Sequence, residues 1–350
     1  FQYCDISYGG NTEYMIFVDG YYDTEVDAAV KFLNCNIHHA SNYAMYLHYS
    51  GTVISGTKFS SYWGTSSGLV IYQPYYLVID NNQWLRTNEA ENNYRPIDLN
   101  TWSSGYPGRK MEITNNAFLD SIGCSYLNLY NEESNGIDSL FIKNNFFNQT
   151  YLEIRSKYGN YGIIEDNLFT TQNQSGACNN AINFNSQDAS IARNNTIRFW
   201  GGGFYVSNNA SPVIENNIVA VNTGIYGSSA TGSTVGYNDF YLQYPLSDPD
   251  DLPIGLGDVI TINANGDSAD TYLNIFSDPQ FIPDDSTIIR SWFLTDSLLY
   301  VTFNPPDSWG DTLSYVYAYM GINNDFFNNC CWSYYLSPEF VNVDGSRSVN

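Results

Sequence analysis

The 350-residue chain carries 36 acidic against 13 basic side chains, a formal charge of −23, and is 43% hydrophobic and 17% aromatic. A field of that sign repels phosphate backbones and anionic lipid, so nucleic acid is not an expected partner, and the absence of any run of 18 apolar residues argues against membrane insertion. The apolar content is that of a chain that folds; six cysteines with no Cys-x-x-Cys pair make neither a disulfide scaffold nor a zinc or redox motif.

Along the chain one pattern recurs ten times: an apolar residue, a variable one, two small polar residues, a variable one, then another apolar residue. The first copies are Phe1-Gln-Tyr-Cys-Asp-Ile6, Phe32-Leu-Asn-Cys-Asn-Ile37 and Ile54-Ser-Gly-Thr-Lys-Phe59. Five sharper ones follow: Ile79-Asp-Asn-Asn-Gln-Trp84, Ile113-Thr-Asn-Asn-Ala-Phe118, Ile142-Lys-Asn-Asn-Phe-Phe147, Ile164-Glu-Asp-Asn-Leu-Phe169 and Ile214-Glu-Asn-Asn-Ile-Val219. Ala192 to Ile197 is a near match, and Val235-Gly-Tyr-Asn-Asp-Phe240 is the tenth. The second polar position falls at Cys4, Cys35, Thr57, Asn82, Asn116, Asn145, Asn167, Asn195, Asn217 and Asn238, with spacings of 31, 22, 25, 34, 29, 22, 28, 22 and 21. The floor of 21 to 22 is one coil, and the excess is loop.

Apolar residues alternating with period two around a polar corner exclude a helical repeat, so each coil is several short strands. Stacked coils lie about 4.8 Å apart, close enough for the corner asparagines Asn82, Asn116, Asn145, Asn167, Asn195, Asn217 and Asn238 to bond one another as a ladder. Asparagine also tolerates the left-handed backbone of a tight corner, and the chirality of parallel crossovers predicts a right-handed coil.

Ile-x-Asn-Asn-x-Phe at this period resembles the right-handed parallel β-helix superfamily, which includes pectate lyases, other polysaccharide-active enzymes and bacterial surface proteins. Phe1 to Gly10 is similar to a coil of large secreted bacterial β-helix proteins, and Ser277-Asp-Pro-Gln-Phe281 resembles the segment that follows their last coil. The resemblance implies an all-β chain: a right-handed parallel β-helix of about ten coils over residues 1–244, secreted to the extracellular space or cell surface. Pro245, Pro249 and Pro253 among Asp248, Asp250 and Asp251 predict an irregular closing segment over 245–296. Alternation at Leu299, Val301, Phe303, Leu313, Tyr315, Tyr317 and Tyr319 then predicts strands within 297–350, either a cap on the solenoid or a small β-domain.

In enzymes of this superfamily the groove lies on the strand roughly ten residues after the corner. With Leu127, Leu129, Leu152, Ile154, Ile182, Phe184, Phe204, Val206 and Ile225 facing inward, the outward column holds Tyr126, Asn128, Tyr130, Tyr151, Glu153, Arg155, Lys157, Asn183, Asn185, Tyr205 and Tyr226. Such a face suits sugar rings and hydroxyls and equally suits another protein chain. A glycosidase needs two carboxyl groups and the column offers one, Glu153; Asp250, Asp251, Asp284 and Asp285 lie outside the coils, and the motifs of β-helix polygalacturonases are absent. Glu153, Arg155 and Lys157 are the catalytic candidates for a lyase, against the plainer reading of a solvated row of ion pairs.

His38, His39 and His48 read as surface or loop histidines. Asn263, Asn265, Asp267 and Asp270 supply oxygen ligands for calcium, the one cofactor the sequence offers, though without the closing Glu of a calcium loop. Cys4 and Cys35, one coil apart, are a disulfide candidate, the alternative being stacked thiols, whereas Cys124, Cys178, Cys330 and Cys331 have no forced pairing. Tyr62, Trp63 and Trp200 are either contact residues or core. The pattern starts at Phe1 with nothing to cover the coil end, which predicts either a longer parent chain or self-association. The expected function is therefore an extracellular structural or adhesive surface protein, self-assembling and glycan-binding, with itself, other surface proteins or a polysaccharide as partner. The alternative is a calcium-assisted lyase acting on an acidic glycan.

Overall fold

The computed structural model describes residues 1–279 apart from segments 8–13, 20–28, 40–42, 49–50, 61–67, 75, 87–93, 102–109, 121–123, 132–138, 158–161, 172–178, 199–200, 229, 243–251 and 278; beyond 279 it describes the backbone of five strands. Tyr62, Trp63, Cys178, Trp200, Asp250, Asp251, Asp284, Asp285, Cys330 and Cys331 lie outside the described residues.

Each coil contributes one strand to each of three parallel sheets, so every strand pairs with its equivalents three elements earlier and later. The strands that follow the polar corner, Asp5–Ser7 to Asp239–Leu242, stack into a sheet of ten. A nine-stranded sheet runs from Tyr14–Asp19 to Thr223–Tyr226, and a second from Ala29–Leu33 to Thr234–Gly236. The protein is a parallel β-solenoid, with one 3₁₀ turn, Ala230–Gly232, as the only helical element among the described residues.

The two corner positions divide the work. The first polar residue of every copy (Tyr3, Asn34, Gly56, Asn81, Asn115, Asn144, Asp166, Asn194, Asn216 and Tyr237) has φ between 53° and 62°, the left-handed conformation that asparagine and glycine adopt most cheaply. The second residue points inward and forms the ladder. Asn116 donates to Asn145 Oδ1 from both its backbone N (2.9 Å) and its Nδ2 (3.0 Å), and Asn145 repeats this toward Asn167. Each Nδ2 also donates to a carbonyl of the preceding coil, as Asn145 does to Ile113 O at 2.8 Å.

All ten copies make the corner, and the seven from Asn82 to Asn238 carry the asparagine of the ladder. The first three corners carry Cys4, Cys35 and Thr57 where the ladder has asparagine; Thr57 substitutes its hydroxyl, accepting from Cys35 N at 3.3 Å. Cys4 and Cys35 are free thiols, each donating to the carbonyl two residues back, Gln2 O and Leu33 O, so the disulfide candidate is not formed and the stacked-thiol alternative holds. Cys124, by contrast, is disulfide-bonded.

Inside, the last apolar position of the pattern builds an aromatic column. Phe59 stacks on Trp84 at 3.8 Å and 2°, followed by Phe118, Phe147 and Phe169, all fully buried. Arg86 and Asp120 form a buried ion pair at 2.8 Å.

The last strand of the coils ends at Leu242, and the compact unit runs on to Pro279 because the segment around Asn274 and Ile275 pairs with the last coil. Asn274 continues the ladder by accepting from Asn238 N and Nδ2, each at 2.9 Å, and donates in turn to the carboxylate of Asp270. A second unit spans Gln280–Asn350. Its strands begin at Ile289, ahead of the expected start at 297: Ile289–Leu294, Leu299–Phe303 and Arg347–Val349 form one antiparallel sheet, and Val316–Met320 pairs with Trp332–Leu336.

Candidate functional site: the tyrosine and amide face

The nine-stranded sheet that begins at Tyr14–Asp19 carries the candidate surface. Leu127, Leu152, Ile182, Phe204 and Ile225 align in register and are fully buried, which turns their neighbours outward. One outward column reads Asp98, Asn128, Glu153, Asn183, Tyr205, Tyr226 in successive coils. Beside it run Asn100, Tyr130, Arg155 and Asn185, and on the other flank Tyr126 lies opposite Tyr151.

These groups bond one another. Asp98 accepts from Arg95 Nη1 at 2.7 Å, from Asn100 Nδ2 at 2.9 Å and from Asn128 Nδ2 at 2.8 Å. The Arg95 guanidinium lies 5.0 Å from the Tyr126 ring centre and its Nε donates to that tyrosine's hydroxyl. Tyr126 stacks on Tyr151 at 4.9 Å and 11°, and Tyr205 meets Tyr226 at 5.2 Å. Glu153 is held by Arg155 through Nε at 2.7 Å and Nη2 at 2.6 Å. Asp98, Asn128 and Glu153 are each only 8% exposed despite facing outward. Asn128 Oδ1 and Asn183 Oδ1, in the coils on either side of Glu153, have no hydrogen-bond partner among the described residues.

Burial raises the pKa values of the phenols: that of Tyr226 is pushed up to about 12 by desolvation and by Tyr205, and that of Tyr151 is raised by desolvation and by Glu153. Both remain neutral hydroxyl donors at physiological pH. The face continues past the residues read from the sequence, through Tyr72, Tyr46, His48 and Phe17, with Phe17 and Tyr46 stacked at 5.3 Å and 13° and Phe17 57% exposed.

Lys157 lies beyond the end of its strand, Thr150–Ser156, and is exposed. Asp98, Asn100 and Arg95 are the site residues that sequence reasoning missed. Asp98 lies two strand spacings from Glu153, about 9.5 Å, so the face holds two carboxylates and not the one expected, each held by an arginine.

Asn263, Asn265, Asp267 and Asp270 do not converge on a cation. Asn263 Oδ1 accepts from the backbone N of Asn265 and Asp267 in an exposed hairpin, whereas Asp270 is buried and bonded to Gly257, Tyr272 and Asn274. Among the described residues no three His, Cys, Asp or Glu side chains are arranged to hold a metal.

Fold and face together define a parallel β-solenoid with an aromatic and amide surface on one sheet. No protein-family model, curated protein or solved structure matches the chain. The fold is one found among surface and polysaccharide-related proteins.

Proposed function

We propose that this is an extracellular adhesive or structural β-solenoid that grips a glycan on its tyrosine and amide face. The observation that carries the reading is the outward column in which half-buried phenol rings alternate with amides: Tyr151, Tyr205 and Tyr226 present ring surface beside the side chains of Asn183 and Asn185. Sugars match both, with a weakly polar ring face and a rim of hydroxyls. Self-association, or contact with another surface protein, would use the same kind of surface.

The lyase reading fits less well. Arg155 is engaged by Glu153 through two nitrogens, and that pairing offsets the charge a lyase would direct at a uronate.

The test is titration calorimetry of the intact chain against soluble neutral and acidic polysaccharides. Binding weakened about tenfold or more by Tyr151→Ala and by Tyr205→Ala supports the proposal. No binding across the panel, or binding indifferent to both substitutions, overturns it. Release of unsaturated uronate products, read by absorbance, would favour the lyase instead.

A further inference from the structure

We propose that His38 and His39 form a binding site for a divalent transition-metal ion of the copper or zinc type, on the ten-stranded sheet and separate from the tyrosine face. Adjacent residues in an extended strand point to opposite sides of a sheet. His38 ends the strand Asn36–His38, but His39 takes φ of 58°, and this left-handed turn swings its ring back to the side of its neighbour. Gln149, after Phe146–Asn148, makes the same corner with φ of 52°, so the backbone geometry belongs to the coil; what is particular here is imidazole at both positions.

The two rings meet edge to face with centres 4.7 Å apart, and their Nδ1 atoms face each other at 2.5 Å. Two ring nitrogens that face each other this closely pair as one donor and one acceptor, because two lone pairs or two N–H groups would repel. On the far side of the His38 ring, Nε2 lies 2.6 Å from Asp5 Oδ1, which also accepts from Asn36 Nδ2 at 3.2 Å. A carboxylate there accepts a hydrogen bond from Nε2–H, which keeps the ring proton on Nε2 and leaves the Nδ1 lone pair aimed at His39. Metal-ligating histidines are oriented by this outer carboxylate, which also raises their basicity.

With His38 Nε2–H directed at Asp5, the hydrogen bond between the rings is donated by His39 Nδ1–H. A metal ion would replace that proton and release it. Bonds of about 2.0 Å to each nitrogen at a tetrahedral angle set the two Nδ1 atoms about 3.3 Å apart, so the rings need part by under about 1 Å. Imidazole nitrogen suits copper and zinc, and with two protein ligands the remaining positions fall to water; copper(II) binds more tightly than zinc in such a set. Asp5 stays in the outer sphere, bonded to the opposite ring nitrogen.

The experiment uses Cu²⁺ as probe, read by pulsed electron paramagnetic resonance on the intact chain. The chain has three histidines, so ring-nitrogen coupling can be assigned by substitution. The expected result is coupling from two imidazoles, unchanged in His48→Ala. In His38→Ala or His39→Ala one coupling disappears and the affinity falls at least tenfold, and Asp5→Ala weakens binding by about 10- to 100-fold with both couplings retained. Copper bound without imidazole coupling, through surface carboxylates alone, overturns the proposal. So does a signal that survives unchanged in both His38→Ala and His39→Ala.

Discussion

Asp188 should make the solenoid less stable as pH rises through neutrality. Its carboxyl is fully buried, Oδ1 accepts from Ser190 N at 3.1 Å and Ser190 Oγ at 2.7 Å, and Oδ2 has no partner among the described residues. Desolvation outweighs these bonds and pushes its pKa up to about 7. An unfolded Asp titrates near 3.9, so between about pH 4 and 7 the folded state holds a proton that the unfolded state has released. The contribution is thus fully present below about pH 4, fades as pH rises and is lost above about 7. Three pH units at about 1.4 kcal/mol each give about 4 kcal/mol, or on the order of 8 °C in melting temperature for a unit of this size. Asp188→Asn keeps the Oδ1 acceptor and removes the charge. Thermal melts followed by circular dichroism should show the variant near wild type at pH 4 and several degrees more stable at pH 8. A difference that does not vary with pH, or a variant no more stable at pH 8, would refute the reasoning.

Three further outcomes follow from the interior. Asn145→Ala strips two donors of their acceptor at Asn116 and leaves Ile113 O unanswered, so it should cost about 3 kcal/mol or more, measured by denaturant melts. Asp120→Ala leaves the Arg86 guanidinium buried without its carboxylate and should cost about 3–5 kcal/mol in the same assay, with Asp120→Asn less severe. Thr57→Asn, following Gly56 at φ of 62°, should extend the ladder toward Cys35 and stabilise by about 1 kcal/mol, seen as a melting temperature raised by a few degrees.

The corner was legible because its two asparagines answer to local chemistry: the first to a backbone conformation, the second to a bonding pattern repeated from Asn82 to Asn238. The inward and outward alternation from Tyr126 to Tyr226 was legible for the same reason, since period two needs only the strand. Asp98 was not. It lies 16 residues after Asn82, whereas Asn128 follows Asn116 by 12 and Glu153 follows Asn145 by 8, so no fixed offset from the corner finds the column. Loops between corner and face vary in length at little energetic cost, and that freedom hides which residues meet across coils. The His38 and His39 arrangement was hidden differently: adjacent histidines converge only because His39 takes the left-handed turn. Asp270, read as a calcium ligand, is a carboxylate whose acceptors are spent on backbone and amide donors.

Every rung of the corner amides donates in one direction, from Asn82 toward Asn274, so their dipoles align like magnets laid end to end. The row has an electrical sense, with its positive end at Asn274, and there it meets the negative carboxylate of Asp270. Because each rung presents to the next the same groups it receives from the last, a duplicated coil could be spliced into the middle with every bond still answered. The terminator, by contrast, has one place. Length is the adjustable property of this architecture, and the end is fixed by a single acid.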